Sequence, residues 1–321
     1  MKTKLLSTIL LALCLSVCLL LLSCNQDADV TNSGSSSQTT ESNEEGGATT
    51  DSGKGSNGLR FTLSDDKTYY TVEGIGKCKD TDIYIPSTYE GLPVKSIGKE
   101  AFENCTELTS ITIPNSVTSI EREAFKNCRN LTSITIPNSV MSIDSDTFYG
   151  CTGLTSITIP KTVTAIADRA FSGCTNIENV YISDIGAWCE MGFGWDAATP
   201  LYYGASLYLN GELVTDLVIP EGVTKIEKFA FAWCKDLNSV TIPSSVTSIG
   251  NGAFTFCQNL TSVVIPQSVS EIGYGVFYRC SNLTIYCEAE SKPSAWQGDW
   301  NSNVVYNGTI IPVVWGYETE K

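Results

Sequence analysis

Histidine is absent from all 321 residues. The commonest neutral-pH base and metal-ligating side chain is therefore missing, which excludes Ser-His-Asp triads, Cys-His dyads and His-ligated zinc. Positive charge is scarce as well: 20 Lys and Arg stand against 35 Asp and Glu, for a formal net charge of −15. A chain so short of cations is ill suited to nucleic acid, whose phosphates Lys and Arg must neutralise. The acidity reads most simply as solubility and self-repulsion of an exposed protein. No Cys-x-x-Cys pair, Gly-rich loop ahead of Lys-Ser/Thr, Gly-x-Ser-x-Gly elbow or acidic calcium loop occurs. The expectation is a non-enzyme with no cofactor and no metal. Only a carboxylate-only glycosidase survives this inventory. Its candidates, such as Glu103, Glu107, Glu121 and Glu123, fall at variable positions that read as a solvated face.

What is present begins with a compartment signal. Lys2 and Lys4 precede an apolar run from Leu5 to Leu22, closed by Ser23-Cys24. A basic start, an apolar core and a small residue before the cut describe an export signal. The Leu21-Leu22-Ser23-Cys24 ending resembles the bacterial lipobox, in which the cysteine is lipidated and becomes the mature N-terminus; Leu22 is less typical at its place. The resemblance implies lipid attachment at Cys24, a membrane anchor made stable by several acyl chains. The alternative, an uncleaved span, has a run at the short limit for crossing a bilayer. Residues 24–58 are rich in Ser, Thr, Gly, Asn, Asp and Glu and read as a disordered tether.

The body carries a 23-residue period. Phe102, Phe125, Phe148 and Phe171 keep it, and Phe231, Phe254 and Phe277 resume it; Ile97, Ile120, Ile143 and Ile166, then Ile226, Ile249 and Ile272, stay in step. In one unit, Ile111 and Ile113 alternate with Thr112 as in a strand, and Pro114 ends it because proline cannot donate to a sheet ladder. Val117 and Ile120 turn inward again, and Ala124-Phe125 close the coil with an expected short helical turn. One unit cannot cover its own apolar side, so the units stack. The predicted fold is mainly β: a solenoid with parallel strands, short helical turns, one irregular coil with an insertion, and capped ends.

The Leu-x-x-Ile-x-Ile-Pro-x-x-Val-x-x-Ile…Ala-Phe-x-x-Cys pattern resembles the BspA-like leucine-rich repeats of bacterial surface proteins over about residues 61–290. That resemblance implies cell-surface adhesion or binding of host protein. The layout expected is a signal peptide at 1–23, the tether at 24–58, and an N-terminal cap with the first coil at 59–98. The solenoid follows at 99–290 with an insertion at about 184–205, then a C-terminal cap at 291–321. In the cap regions, Phe61 to Ile75 reads as a hairpin turning at Ser64-Asp65-Asp66, and Trp296, Trp300 and Trp315 as a cover for the last coil.

Cys105, Cys128, Cys151, Cys174, Cys234, Cys257 and Cys280 share one phase of the repeat. Stacked copies of one residue point the same way, a poor fit to the disulfide dihedral, so buried free thiols are expected. Cys280 with Cys287 is left open as a pair.

Two surfaces are candidates for a ligand. Ile177 and Val214 occupy the same phase yet stand 37 apart, 14 more than the period. The excess holds Trp188, Phe193, Trp195, Tyr202 and Tyr203, which are either an exposed binding loop or a plug for the irregular coil. The second surface is the outward strand column of Thr112, Thr135, Thr158, Tyr181 and Thr241, either a hydrogen-bonding ladder or a solvated β face. The partner expected is an extracellular protein, or else a glycan captured for nutrition, with the membrane reached through the lipid and no nucleic acid. The location expected is the outer membrane or cell surface.

Overall fold

Each coil lays down three hydrogen-bonded sides. The computed structural model describes residues 55–302 and 310–318, so the expected export signal, Cys24 and most of the expected tether lie outside the described residues. Within them, parallel strands stack into a solenoid of about nine turns with almost no helix.

The first side is the Leu-x-x-Ile-x-Ile segment. Ser110–Thr112 pairs in register with Asp82–Tyr84, and Ser133–Thr135, Ser156–Thr158 and Asn179–Ile182 stack as a second run. Alternation places Ile111, Ile134 and Ile157 in the core while Thr112, Thr135 and Thr158 face water. The second side is the short Ser-Ile strand after the proline turn: Ser142–Ile143 pairs with Ala165–Ile166, and Lys225–Ile226, Ser248–Ile249 and Glu271–Ile272 form a like set.

The third side corrects the expectation of a short helical turn. The Ala-Phe-x-x-Cys segment is a chain of turns whose alternate amides serve different coils. Those of Glu100, Phe102 and Asn104 donate to Arg122, Ala124 and Lys126 of the next coil, whereas those of Ala101, Glu103 and Cys105 donate within their own. A helix would spend every amide internally, and the stack would lose this ladder. The backbone achieves the alternation by entering left-handed φ two residues before and two after each core phenylalanine. Glu100, Glu123, Asp146 and Arg169 occupy the first position (φ 57 to 62°), and Asn104 and Asn127 the second (φ 58 and 59°).

The phenylalanines stack along the axis at 5.4, 5.6 and 5.3 Å from Phe102 to Phe171, and at 5.4 and 5.7 Å from Phe231 to Phe277. All seven are essentially inaccessible; burying one such side chain contributes about 1.5–3 kcal/mol.

The cysteine column lies beside them. The ten described cysteines are free, Cys280 and Cys287 included. Five of the seven repeat thiols donate to the carbonyl of the preceding coil's phenylalanine: Cys128 to Phe102 at 3.1 Å, Cys151 to Phe125 at 3.0 Å, Cys174 to Phe148 at 3.0 Å, Cys257 to Phe231 at 3.1 Å and Cys280 to Phe254 at 3.0 Å. The thiol is thus a filler and an inter-coil donor together.

Both ends are closed. Arg60–Leu63 and Tyr70–Gly74 form the N-terminal hairpin, its turn tied by the Lys67 amide to the Ser64 carbonyl, and Tyr70–Gly74 runs parallel to Leu92–Ile97. Ser56 already exchanges hydrogen bonds with Tyr84, so pairing starts ahead of Leu59. At the far end Trp296 and Trp300 are buried, and Trp300 meets Phe277 edge-on at 6.3 Å. The Gln297 amide takes up the Ile272 carbonyl as a further coil would, and Val313–Trp315 pairs with Thr284–Cys287.

Candidate functional site

The 14 additional residues divide into two devices. Val180 pairs with Leu207, so this coil spans 27 residues instead of 23. Its proline turn is replaced by the helix Ile185–Cys189, capped by the Asp184 carboxylate on the Ala187 amide at 3.0 Å. The remaining ten residues form the hairpin of Ser206–Leu209 with Glu212–Leu213, which ends the first strand stack. Asp216–Val218 opens the next stack, as Asp82–Tyr84 opened the first. Both opening aspartates take hydroxyl hydrogen bonds from the following strand, Asp82 from Ser110 and Thr109 and Asp216 from Ser239. Those hydroxyls hold Asp82 below the usual carboxylate range.

Side chains bridge the interrupted ladders. Trp188 Nε1 donates to the Ala230 carbonyl at 2.7 Å, where a regular coil would offer a backbone amide. The Tyr203 hydroxyl accepts from the Gly173 amide at 2.9 Å, in place of a carbonyl. The Cys189 carbonyl accepts from Glu227. The five predicted insertion residues therefore separate. Trp188 and Phe193 are 1% and 2% exposed and pack edge-to-face at 5.4 Å. As candidate ligand contacts both are corrected to core: no ligand can reach them, because they plug the irregular coil. Trp195 is 69% exposed and Tyr203 41%, with Tyr202 half-buried between the insertion and Trp233.

The outward strand column is assembled as predicted by period. Thr135, Thr158 and Tyr181 are in register and together line a groove of about 390 Å³, with Asn115, Asn138 and Asn210 among its walls. Tyr208 extends the column, its ring 5.1 Å from that of Tyr181. Thr112 lies one coil earlier in this column. Thr241 stands apart, on a separate groove of about 400 Å³ with Val264, Pro266 and Glu288.

A third surface escaped the sequence reading. Trp233 stacks on Phe256 at 5.3 Å and 14°, Tyr278 meets Phe256 at 5.7 Å, and the Arg279 guanidinium lies over both rings at 5.0 and 5.6 Å. The signal was available. Two residues after each core phenylalanine the column reads Asn104, Asn127, Gly150 and Gly173, then Trp233, Phe256 and Arg279.

Glu100, Glu103 and Glu123 bring carboxylate oxygens within 4.8 Å of one another, but the Lys126 ammonium sits 3.1 Å from Glu103 and 2.8 Å from Glu123. That contact holds Glu123 below its ordinary range. Asp146 is likewise paired, with Arg169 at 2.8 Å.

With the coil geometry in place, the comparison with known families is decisive. The BspA type leucine rich repeat region matches in six copies over residues 76–189 and 204–291. This chain belongs to that family. The gap between the two matched stretches falls inside the spliced coil. A search of curated proteins returns no match.

Among solved structures, the BspA type repeats here are similar to a leucine-rich repeat protein from Bacteroides ovatus: 24% identity over 72% of this chain and 70% of that one, TM-score 0.41. The T. pallidum leucine rich repeat protein is 26% identical over 70% and 88% of the two chains, TM-score 0.43. A leucine rich cell surface protein of Faecalibacterium prausnitzii is 22% identical over 84% and 96%, TM-score 0.38. BspA type repeat proteins are cell-surface proteins, generally non-enzymatic and associated with protein interaction or adhesion. Among the described residues no helix is long and apolar enough to cross a membrane.

Proposed function

We propose that this chain is a non-catalytic adhesion lipoprotein, anchored through Cys24 at the cell surface or outer membrane, that binds an extracellular host or microbial protein on its repeat face. The observation that carries this reading is the groove across successive coils. Thr135, Thr158 and Tyr181 repeat hydroxyls at the strand spacing, and Asn115, Asn138 and Asn210 add amides alongside. Thr158 and Tyr181 sit on strands paired on both edges and Thr135 on a strand paired on one, so these hydroxyls are preorganised and little ordering entropy opposes binding. The export signal, lipobox-like ending and tether supply the means of display.

A second reading, glycan capture for nutrition, draws on the Tyr181–Tyr208 pair beside Asn210, an aromatic face next to amides. A combined array of glycans and extracellular-matrix proteins, probed with the full chain, separates the two. Binding to proteins without competition by free sugars supports adhesion. Sugar-inhibitable binding reverses the order. Protease shaving of intact cells tests the display: a chain protected from the protease would contradict surface exposure.

A further inference from the structure

The two solvent columns differ in one respect. The groove is made of residues that suit a strand, whereas the strip of Trp233, Phe256 and Arg279 is made of residues that oppose their backbone. All three hold left-handed φ, 64, 61 and 62°. L-residues rarely adopt this conformation, and for bulky side chains it is an outlier that calls for a reason. The turn ladder fixes the left-handed backbone at this position in every coil, but it does not call for a bulky side chain there. Earlier coils place Asn104, Asn127, Gly150 and Gly173 at the same position, the residue types that tolerate it. The strip is also outside the core, whose phenylalanine column is Phe231, Phe254 and Phe277; Trp233, Phe256, Tyr278 and Arg279 are all half-buried.

The strip is continuous. From Tyr202 in the spliced coil to Trp233 is 4.5 Å, then 5.3 Å to Phe256 and 5.7 Å to Tyr278. The strip itself carries one charge, the cation of Arg279, with Lys235 and Asp236 of opposite sign following Trp233 in the chain. Arg279 and the exposed Lys235 form no ion pair among the described residues, and Arg279 Nε is buried with no hydrogen-bond partner. An arginine lying over two rings, in no ion pair among the described residues, can offer its outer guanidinium edge to a carboxylate. Phe256 is stacked on Trp233 and roofed by the guanidinium, so it has no free ring face for a pyranose. Trp, Tyr and Arg brought together are instead the make-up of protein-binding hot spots.

We propose that the strip of Trp233, Phe256, Tyr278 and Arg279 is a second docking site, for a protein segment bearing an Asp or Glu beside an apolar side chain. It rests on the reading of this chain as a protein-binding module and adds the partner's chemistry and a face other than the groove.

The test is a phage-displayed random dodecapeptide library selected on the immobilised full chain, followed by calorimetric titration of the enriched peptides. The expected peptides carry an acidic residue next to an aliphatic or aromatic one. They bind Phe256→Asn and Arg279→Gln at least tenfold more weakly than the parent, and bind Thr158→Arg in the groove unchanged. Phe256→Asn introduces the residue that Asn127 already is at this position, so it should fold, with its buried cysteines still closed to a thiol reagent. If it does not, Arg279→Gln alone decides. Peptides that lose binding with Thr158→Arg but not with the strip variants would overturn this proposal and leave the protein-binding reading standing. Basic peptides, or no enrichment at all, would overturn it too. Binding of an acidic oligosaccharide such as oligogalacturonate, lost with Arg279→Gln, would assign the strip to glycans and count against both.

Discussion

Trp188 Nε1 donates to the Ala230 carbonyl at 2.7 Å across 42 residues of sequence, joining the two halves of the solenoid through one buried hydrogen bond. Trp188→Phe keeps an aromatic ring and leaves that carbonyl unsatisfied. A buried polar group left unpaired costs about 1–3 kcal/mol. The expected result is a lower urea midpoint. Because coil stability is set by nearest neighbours, the single transition should also broaden or split at the splice. Fluorescence and circular dichroism that still coincide at the parent midpoint would refute this role.

The core column gives a second expectation. Phe125 is fully buried between Phe102 at 5.4 Å and Phe148 at 5.6 Å. Neighbours fixed on both sides cannot collapse into the space, so Phe125→Ala should cost about 3–5 kcal/mol. Denaturant unfolding with a loss under 1 kcal/mol would mean the column does not bear on stability.

The thiols predict an alkaline limit. Burial pushes Cys189 and Cys287 up to about 12, and raises Cys128, Cys234 and Cys257 in the same direction. In the unfolded chain a thiol ionises near about 8.5. The folded chain therefore holds more protons above that pH, and stability falls as pH rises. The contribution is complete below about pH 8.5 and declines by about 1.4 kcal/mol per thiol for each further unit. Several thiols acting together should make stability fall steeply in alkali, and Cys257→Ala should flatten that fall while lowering stability at neutral pH, because the Phe231 carbonyl loses its donor. The buried cysteines should resist a thiol reagent at pH 8 and react in denaturant, with half-buried Cys105 the more accessible. Rapid labelling of the folded chain would contradict their burial.

The groove predicts loss of binding without loss of fold. Thr158 is exposed on a strand paired on both edges. Thr158→Arg should change stability by less than about 0.5 kcal/mol and abolish attachment of protein-coated beads to expressing cells. Unchanged attachment would remove the groove from the proposed site.

The strands were legible in the sequence because Ile111, Thr112 and Ile113 alternate and Pro114 stops them. Period alone placed the phenylalanines, the isoleucines and the thiols. The third side was not legible. Ala124-Phe125 reads as helical by residue type, and only the left-handed backbone at Glu123 and Asn127 turns its amides toward the next coil. Of the insertion, Trp188 and Trp195 look alike in sequence, yet one is a buried donor and the other is open to solvent. Which ring folds inward depends on whether a broken ladder has a carbonyl to satisfy, and that is a fact of the neighbouring coil. Within a single unit Trp233 and Phe256 carry no signal. Their meaning comes only from the column they share with Asn104 and Gly150.

In-register stacking of the coils is tested most directly by hydrogen exchange across the turn segments. If alternate amides of the third side bond the next coil, as Phe102 does to Ala124 at 2.8 Å and Phe125 to Thr147 at 2.9 Å, peptides covering 100–104 and 123–127 should be protected as strongly as the strands. Exchange of those peptides at the rate of open loops would contradict the stack.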